Sequence, residues 1–429
     1  MPKRRFLFVS IDGLCSDLAW RVSEEGHEVR LFIRSEAQRE VGDGFVTKST
    51  DWEGDLARAD VVVFDDTLGQ GVVAEGLRGR GHAVVGGTAY TDRLEDDRDF
   101  GQRELAAAGV RTLPCAAFER FDDAIAYVRA NPAAYVFKPC GEAANLKRLL
   151  YVGQRDDGED LVQLLGSYRG TWDTRVTSFQ LQRRVLGVEV GVTAFFDGTR
   201  FLAPVCVNFE HKRLFPGELG PMTGEMGTSL FWSPPNRLFR EVLLPMESRL
   251  REVGYHGAID VNCIATEEAA WPLEFTCRFG FPTILIQSES LVTPLGELLE
   301  GLARGGAPDF RARPGFTVGV NVRVPPYPYD DPVIFDSFAK ERRVDFRDGR
   351  RDGVHIQDMK RVGDDWVLTG VDACPLLVAG HGLTMREARA QTYARIGGLL
   401  LPGMYYRNDI GERWGEDGDR LLAWGWLGA

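Results

Sequence analysis

The first ninety residues limit the fold more than any other stretch of the chain. Short apolar runs at Phe6–Ser10, Val29–Ile33, Val61–Phe64 and Ala83–Val85 alternate with amphipathic segments such as Asp17–Glu25. Strands that alternate with helices need crossover connections, so this region predicts a parallel sheet covered by helices. The first strand leads into Ser10-Ile-Asp-Gly-Leu-Cys-Ser16. That turn contains no G-x-G-x-x-G, which argues against dinucleotide binding and against an oxidoreductase built on this domain. A helix expected over Arg93–Ala108 closes the unit and sets an N-terminal α/β domain at residues 1–92.

Beyond it the text changes to strands at Tyr135–Pro139, Leu149–Val152, Phe179–Val185, Glu189–Phe196 and Arg200–Val207. The Gly/Pro-rich stretch Pro216–Thr228 reads as a loop, Asn236–Val253 as a helix, and Gly257–Ile264 and Trp271–Thr276 as two further strands. Residues 93–315 thus form an α+β region, and residues 316–429 a smaller C-terminal domain of mixed strands with a helix at Thr384–Gly397. With 44% hydrophobic and 10% aromatic residues the whole chain is expected to fold. A net charge of −12 argues against a broad nucleic-acid footprint or an anionic membrane surface, leaving room only for a local basic pocket. The seven cysteines are scattered and include no C-x-x-C, and no apolar run is long enough to span a membrane. A reducing cytoplasm is the expected compartment.

Three constellations could carry chemistry. In Gly257-Ala-Ile-Asp260-Val-Asn262 and Pro272-Leu-Glu274-Phe-Thr276-Cys-Arg278, strand alternation puts Asp260 with Asn262 on one face, and Glu274 with Thr276 and Arg278 on one face. If the strands pair, carboxylates and neutral oxygens converge as a hard-oxygen site for Mg²⁺. The same spacing also suits a solvent-facing sheet. Lys138 leaves an apolar strand toward Pro139-Cys-Gly141, as a phosphate ligand or as a snorkelling edge residue. Asn208-Phe-Glu-His211-Lys212-Arg213 precedes Gly217-Glu-Leu-Gly220-Pro-Met-Thr-Gly224-Glu225-Met-Gly227, a cluster within a chain whose 49 glycines make about 11% against a usual ~7%. Glycines beside cations let a backbone approach an anion closely, and the alternative is a solvated loop.

Taken in order, Lys138, Gly187-Val-Glu189, His211-Lys-Arg213, Gly220-Pro-Met-Thr-Gly-Glu-Met-Gly227 and Leu273-Glu-Phe-Thr-Cys-Arg-Phe-Gly280 resemble the ATP-grasp ligases. More narrowly they resemble the glycinamide ribonucleotide synthetases, or phosphoribosylamine–glycine ligases, and the tail Gly403-Met-Tyr-Tyr-Arg-Asn-Asp-Ile-Gly411 shares the likeness. The resemblance implies an ATP-grasp region over 93–315 with two subdomains sandwiching ATP, behind a parallel-sheet domain that precedes it. It implies ATP and Mg²⁺, or Mn²⁺ in its place, and amide formation through an acyl-phosphate with release of ADP and phosphate. Arg278 and Lys138 take catalytic roles. Arg98, Lys138, Lys147, Gln182, Val185 and Glu189 are the nucleotide residues, and Asp260, Glu274 and Thr276 the metal ligands. His211, Lys212, Arg213, Thr223, Gly224, Glu225 and Arg278 are the substrate residues.

The substrate side departs from that family. Its Gly-Gly-Arg-Glu-His phosphate loop is replaced by Asp12-Gly-Leu-Cys-Ser16, its Gly-Gly-Met-Gly by Gly224-Glu-Met-Gly227, and its Asp-Pro-Glu by Phe281-Pro-Thr283. Losing a fixed cation from a phosphate subsite costs about 1.5–3 kcal/mol per charged hydrogen bond. The sequence therefore predicts a cytoplasmic ligase, monomeric or homodimeric, that joins a carboxylate such as an amino acid's to an amine other than phosphoribosylamine. The alternatives are the purine-pathway ligase itself and a nucleotide-binding relative without turnover.

Overall fold

The computed structural model describes residues 2–140, 143, 149–172, 174–306, 310–329 and 331–428. The N-terminal strands β1 (Arg5–Ser10), β2 (Glu28–Ile33), β3 (Thr47–Lys48), β4 (Val61–Phe64) and β5 (Val84–Val85) form a parallel sheet in the order β3-β2-β1-β4-β5. Val61 to Phe64 are buried on both faces, which is why the strand reads as an unbroken apolar run.

The expected helix over 93–108 is two helices, Ala89–Asp96 and Arg98–Ala107. The residue between them, Asp97, adopts an extended conformation and accepts a hydrogen bond from the amide of Phe100, capping the second helix. That break places Arg98 at a helix start. Likewise the helix expected over 236–253 is interrupted: Arg237–Val242 and Glu247–Glu252 flank a short turn at Leu244–Met246 that contains Pro245. Proline lacks the amide needed for helical continuation.

A small antiparallel sheet follows, with β6 (Cys115–Phe118), β7 (Tyr135–Pro139), β8 (Tyr151–Val152) and β9 (Phe179–Arg183) in the order β6-β9-β7-β8. Its own core of Phe121, Phe137, Leu161 and Phe179 makes it a separate packing unit. The main sheet contains β10 (Val188–Asp197), β11 (Val205–Phe215), β12 (Leu219–Ser233), β13 (His256–Ala265), β14 (Ala270–Thr276) and β15 (Phe316–Val322). The remaining strands are β16 (Arg343–Phe346), β17 (Val354–Ile356), β18 (Met359–Val362), β19 (Asp365–Leu368), β20 (Leu376–Gly382) and β21 (Leu399–Leu400). The main sheet runs β14-β13-β10-β11-β12-β15-β20-β17, so the spans 93–315 and 316–429 share one continuous sheet.

The glycine-rich segment expected as a loop is mostly strand. β11 and β12 form a long antiparallel hairpin, turned at Pro216–Glu218 with Gly217 at φ 72° and Glu218 at φ 57°. Gly217 tolerates that left-handed geometry because it lacks a Cβ. No described helix is long and apolar enough to cross a membrane.

Candidate active site

The antiparallel pairing of β13 with β14 sets Asn262 opposite Glu274 and Asp260 opposite Thr276. β10 and β11 continue the face with Glu189, Thr193, Asn208, Glu210 and Lys212, through registers Gly191 to Asn262 and Gly191 to Asn208. Gly191 leaves room at the centre, because a Cβ there would lie 2.3 Å from Asn208 Oδ1.

Between this face and the small sheet lies a cleft of about 350 Å³. One end is apolar, lined by Leu113, Val136, Val152, Val185, Ile264 and Leu273, and the other carries Arg98, Lys138, Lys212 and Arg278. An apolar slot continuous with a cationic pocket suits a nucleotide: the base is buried and the phosphates are paired. Lys138 is 9% exposed. Burial pushes its ammonium from 10.5 down to about 8, against the pull of Glu274. Arg98 Nη2 lies 3.3 Å from Glu274 Oε2, and Lys212 Nζ lies 3.3 Å from Glu274 Oε1. Lys212 also reaches Glu210 at 3.2 Å and Glu189 at 3.9 Å. Burial would lower the Lys212 ammonium, but Glu210, Glu274 and Glu189 overcome it and hold it well above its usual value. Arg278 sits between Glu95 at 3.0 Å and Asp66 at 3.2 Å. Burial lifts the Glu95 carboxyl to about 7, with Arg278 opposing.

Of the residues expected at the site, Arg98, Lys138, Gln182, Val185, Glu189, Lys212, Thr223, Gly224, Glu225, Glu274, Thr276 and Arg278 all line this cleft. Lys147 lies outside the described residues. Asp260 is not among the residues that line the cleft. It shares the face, yet it lies beneath the cleft, 6% exposed, accepting from Thr193 Oγ1 at 2.6 Å and Asn208 Nδ2 at 2.8 Å. Burial, then the nearby Glu210 carboxylate, raises its carboxyl to about 6. Asn262 and Glu210 do line the cleft and are joined by a hydrogen bond from Asn262 Nδ2 to Glu210 Oε2.

His211 and Arg213 do not line the cleft either. Neighbours along a strand face opposite ways, so Glu210 and Lys212 meet the cleft while His211 and Arg213 do not. Arg213 donates to the carbonyl of Gly220. Burial, then Arg413 and Arg407, push the His211 imidazole down to about 3, so it is neutral at ordinary pH.

The donor set fits Mg²⁺ in one particular way. Among the described residues no three carboxylates, histidines or cysteines form a standing metal cage. Glu274, with Asn262 and Thr276 beside it, offers hard oxygens to an ion that completes its shell on phosphates, which is how Mg²⁺ is usually held.

A second cavity of about 310 Å³ shares Gly224, Glu225 and Phe281 with the first. Its other walls come from Asp12–Leu14, Arg323, Tyr327–Tyr329, Gln357–Asp358, Asp372 and Cys374. No local motif marks Arg323, Gln357, Asp358 or Asp372, because segments far apart in the chain build this wall. Glu225 stands where the two cavities meet. It accepts from Thr228 Oγ1, and burial, then the Glu210 carboxylate, lifts it to about 8.

A parallel-sheet domain and a nucleotide-sized cleft between two antiparallel sheets, with cations around one glutamate, make up an ATP-grasp fold, and the chain is similar to the ATP-grasp ligases. Residues 96–284 match the ATP-grasp (A) domain of phosphoribosylglycinamide synthetase. Within that class the chain resembles the phosphoribosylamine–glycine ligases. It is 29% identical to the phosphoribosylamine–glycine ligase of Mycobacterium tuberculosis over 375 residues, covering 80% of this chain and 81% of that one. The phosphoribosylamine–glycine ligase of Thermotoga maritima shares the fold, with a TM-score of 0.71 at 20% identity over 95% of this chain and 100% of that chain. So does an L-amino acid ligase from Bacillus licheniformis, with a TM-score of 0.60 at 13% identity over 95% and 100%.

Proposed function

We propose that this chain uses MgATP to join a carboxylate, such as that of an amino acid, to an amine, releasing ADP and phosphate, and that the amine is not phosphoribosylamine. The observation that carries this reading is the pair of cavities meeting at Gly224, Glu225 and Phe281, one cationic and one acidic. Arg98, Lys138 and Arg278 hold fixed positive charge at the phosphate end, so the chain contributes mainly positioning and electrostatic stabilisation to phosphoryl transfer. A bound Mg²⁺ on Glu274 would add further neutralisation of phosphate charge. A carboxylate oxygen takes the γ-phosphoryl group as the bond to ADP breaks. The amine nitrogen then forms the C–N bond as the C–O bond to phosphate breaks, and its proton leaves to a base or to water.

Similarity to the phosphoribosylamine–glycine ligases at 26–29% identity supports the ligase class and favours, as a second reading, their own reaction. ADP release measured with MgATP, glycine and phosphoribosylamine separates the two. Background release with that pair, together with amino-acid-dependent release when other amines are supplied, is the expected result. Release that requires both glycine and phosphoribosylamine would overturn the proposed amine.

A further inference from the structure

Resting on that ligase reading, we propose that the second cavity takes a phosphate-free α-amino acid with a cationic side chain as the acceptor amine. Its walls carry four carboxyl groups, Asp12, Glu225, Asp358 and Asp372, and one cation among the described residues, Arg323. A phosphate dianion placed there would meet the Asp12 and Asp372 carboxylates and one arginine, while burial keeps Glu225 and Asp358 largely protonated.

Part of the backbone of the first βα turn is already committed. In the first βα turn the amide of Gly13 donates to Ser10 Oγ at 2.7 Å and that of Cys15 to Asp65 Oδ2 at 3.0 Å. The amide of Ser16 donates to the carbonyl of Gly13 at 3.0 Å. These three donors are committed within the fold, which removes them from any nest of N–H groups for an anion at this helix start.

Arg323 supplies the opposite handle. It is 5% exposed, its Nη1 donates to Gln357 at 3.1 Å and its Nη2 to the carbonyl of Glu225 at 2.9 Å. Its Nε is buried with no hydrogen-bond partner, although the side chain lines the cavity. A buried charged donor without an acceptor is costly, and a ligand oxygen would satisfy it. Because Arg323 is bonded to the backbone of Glu225, a carboxylate-seeking group and a carboxyl group stand side by side. An α-amino acid carries its carboxylate and amine on one carbon and fits that pair, the carboxylate toward Arg323 and the amine toward Glu225. The attacking nitrogen forms the C–N bond with the acyl carbon, phosphate departs with the electron pair of the broken C–O bond, and the nitrogen's proton passes to an oxygen of that phosphate. Farther out, Asp12 is exposed and makes no hydrogen bond or ion pair with a described residue, leaving it available to a ligand cation.

Isothermal calorimetry on the full chain with a non-hydrolysable MgATP analogue tests this, using L-arginine, agmatine and ribose 5-phosphate as probes. L-Arginine should bind, agmatine, which lacks the carboxylate, should bind about tenfold more weakly, and ribose 5-phosphate should give no heat of binding. Asp12→Asn should weaken L-arginine by about tenfold with an unchanged thermal midpoint, since the side chain holds nothing in the fold. Ribose 5-phosphate binding more tightly than L-arginine, absence of L-arginine binding, equal binding of agmatine, or an unaffected Asp12→Asn variant each overturns the inference. Failure of the ligase reading looks different: L-arginine binds, yet no amino acid and amine together release ADP.

Discussion

Replacing Lys138 by methionine tests the electrostatics of the cleft directly. The lysine is 9% exposed, and burial depresses its ammonium from 10.5 to about 8. At about 1.4 kcal/mol per decade, keeping that side chain charged at neutral pH costs the empty fold roughly 3 kcal/mol. Methionine has a similar volume and no charge, so Lys138→Met should raise the stability of the nucleotide-free protein by up to that amount. Because the folded-state value is depressed, the lysine's contribution to stability is present above 10.5 and is lost as pH falls through about 8. The advantage of methionine should therefore be full below pH 8 and close between pH 8 and 10.5. The same variant should lose about 10²-fold in ADP affinity, because the phosphates no longer meet the ammonium that repays its burial. Thermal unfolding followed across pH, with ADP titrations beside it, reads both effects. A variant that is less stable than the parent at pH 7 and binds ADP equally well would refute the argument.

Three further outcomes follow from the same geometry. Glu274→Gln removes the carboxylate that Arg98 and Lys212 both touch and that would hold Mg²⁺, so ADP-forming turnover should fall by about 10² or more while nucleotide still binds, as stopped-assay and titration data would show. Asp260→Asn should leave the Mg²⁺ dependence of turnover unchanged, because Asp260 lies beneath the cleft. Its folded-state value near 6 is raised, so its stability contribution is complete below the ordinary carboxylate value of 3.8 and lost as pH rises through 6. The asparagine variant should accordingly gain on the parent in thermal midpoint at pH 7 and above. Gly191→Ala drives a Cβ to within 2.3 Å of Asn208 Oδ1, displacing the amide that holds Asp260, and denaturant unfolding should show a loss of about 1–3 kcal/mol.

Much of the cleft was legible from strand periodicity. Side chains two apart share a face, so Glu274 and Thr276 on one strand and Asn262 on the next could be paired before any coordinate was known. The same rule explains which residues fall outside the cleft. Applied to the run at 211–213 it separates Lys212, which meets Glu274, from His211 and Arg213, which turn away, whereas treating the run as one basic patch merges them. Asp260 has the correct face and lies beneath the cleft all the same, because distance along a strand relative to a cavity floor depends on what covers the sheet. The glycines of 217–227 suggested an open loop, but interstrand hydrogen bonds with β11 order them into a hairpin.

What the sequence by itself determined is therefore local and periodic: the parallel N-terminal sheet, the strand pair that carries Glu274, and the cation leaving β7 at Lys138. These follow from burial patterns repeating every two or about four residues, which short segments encode on their own. Only the tertiary structure decided the pKa of Lys138, the enclosure of Lys212 by three glutamates, and the acidic cavity joining Asp12, Glu225, Arg323, Asp358 and Asp372. Desolvation and charge pairing depend on groups brought together from hundreds of residues apart, and no spacing in the chain records those distances.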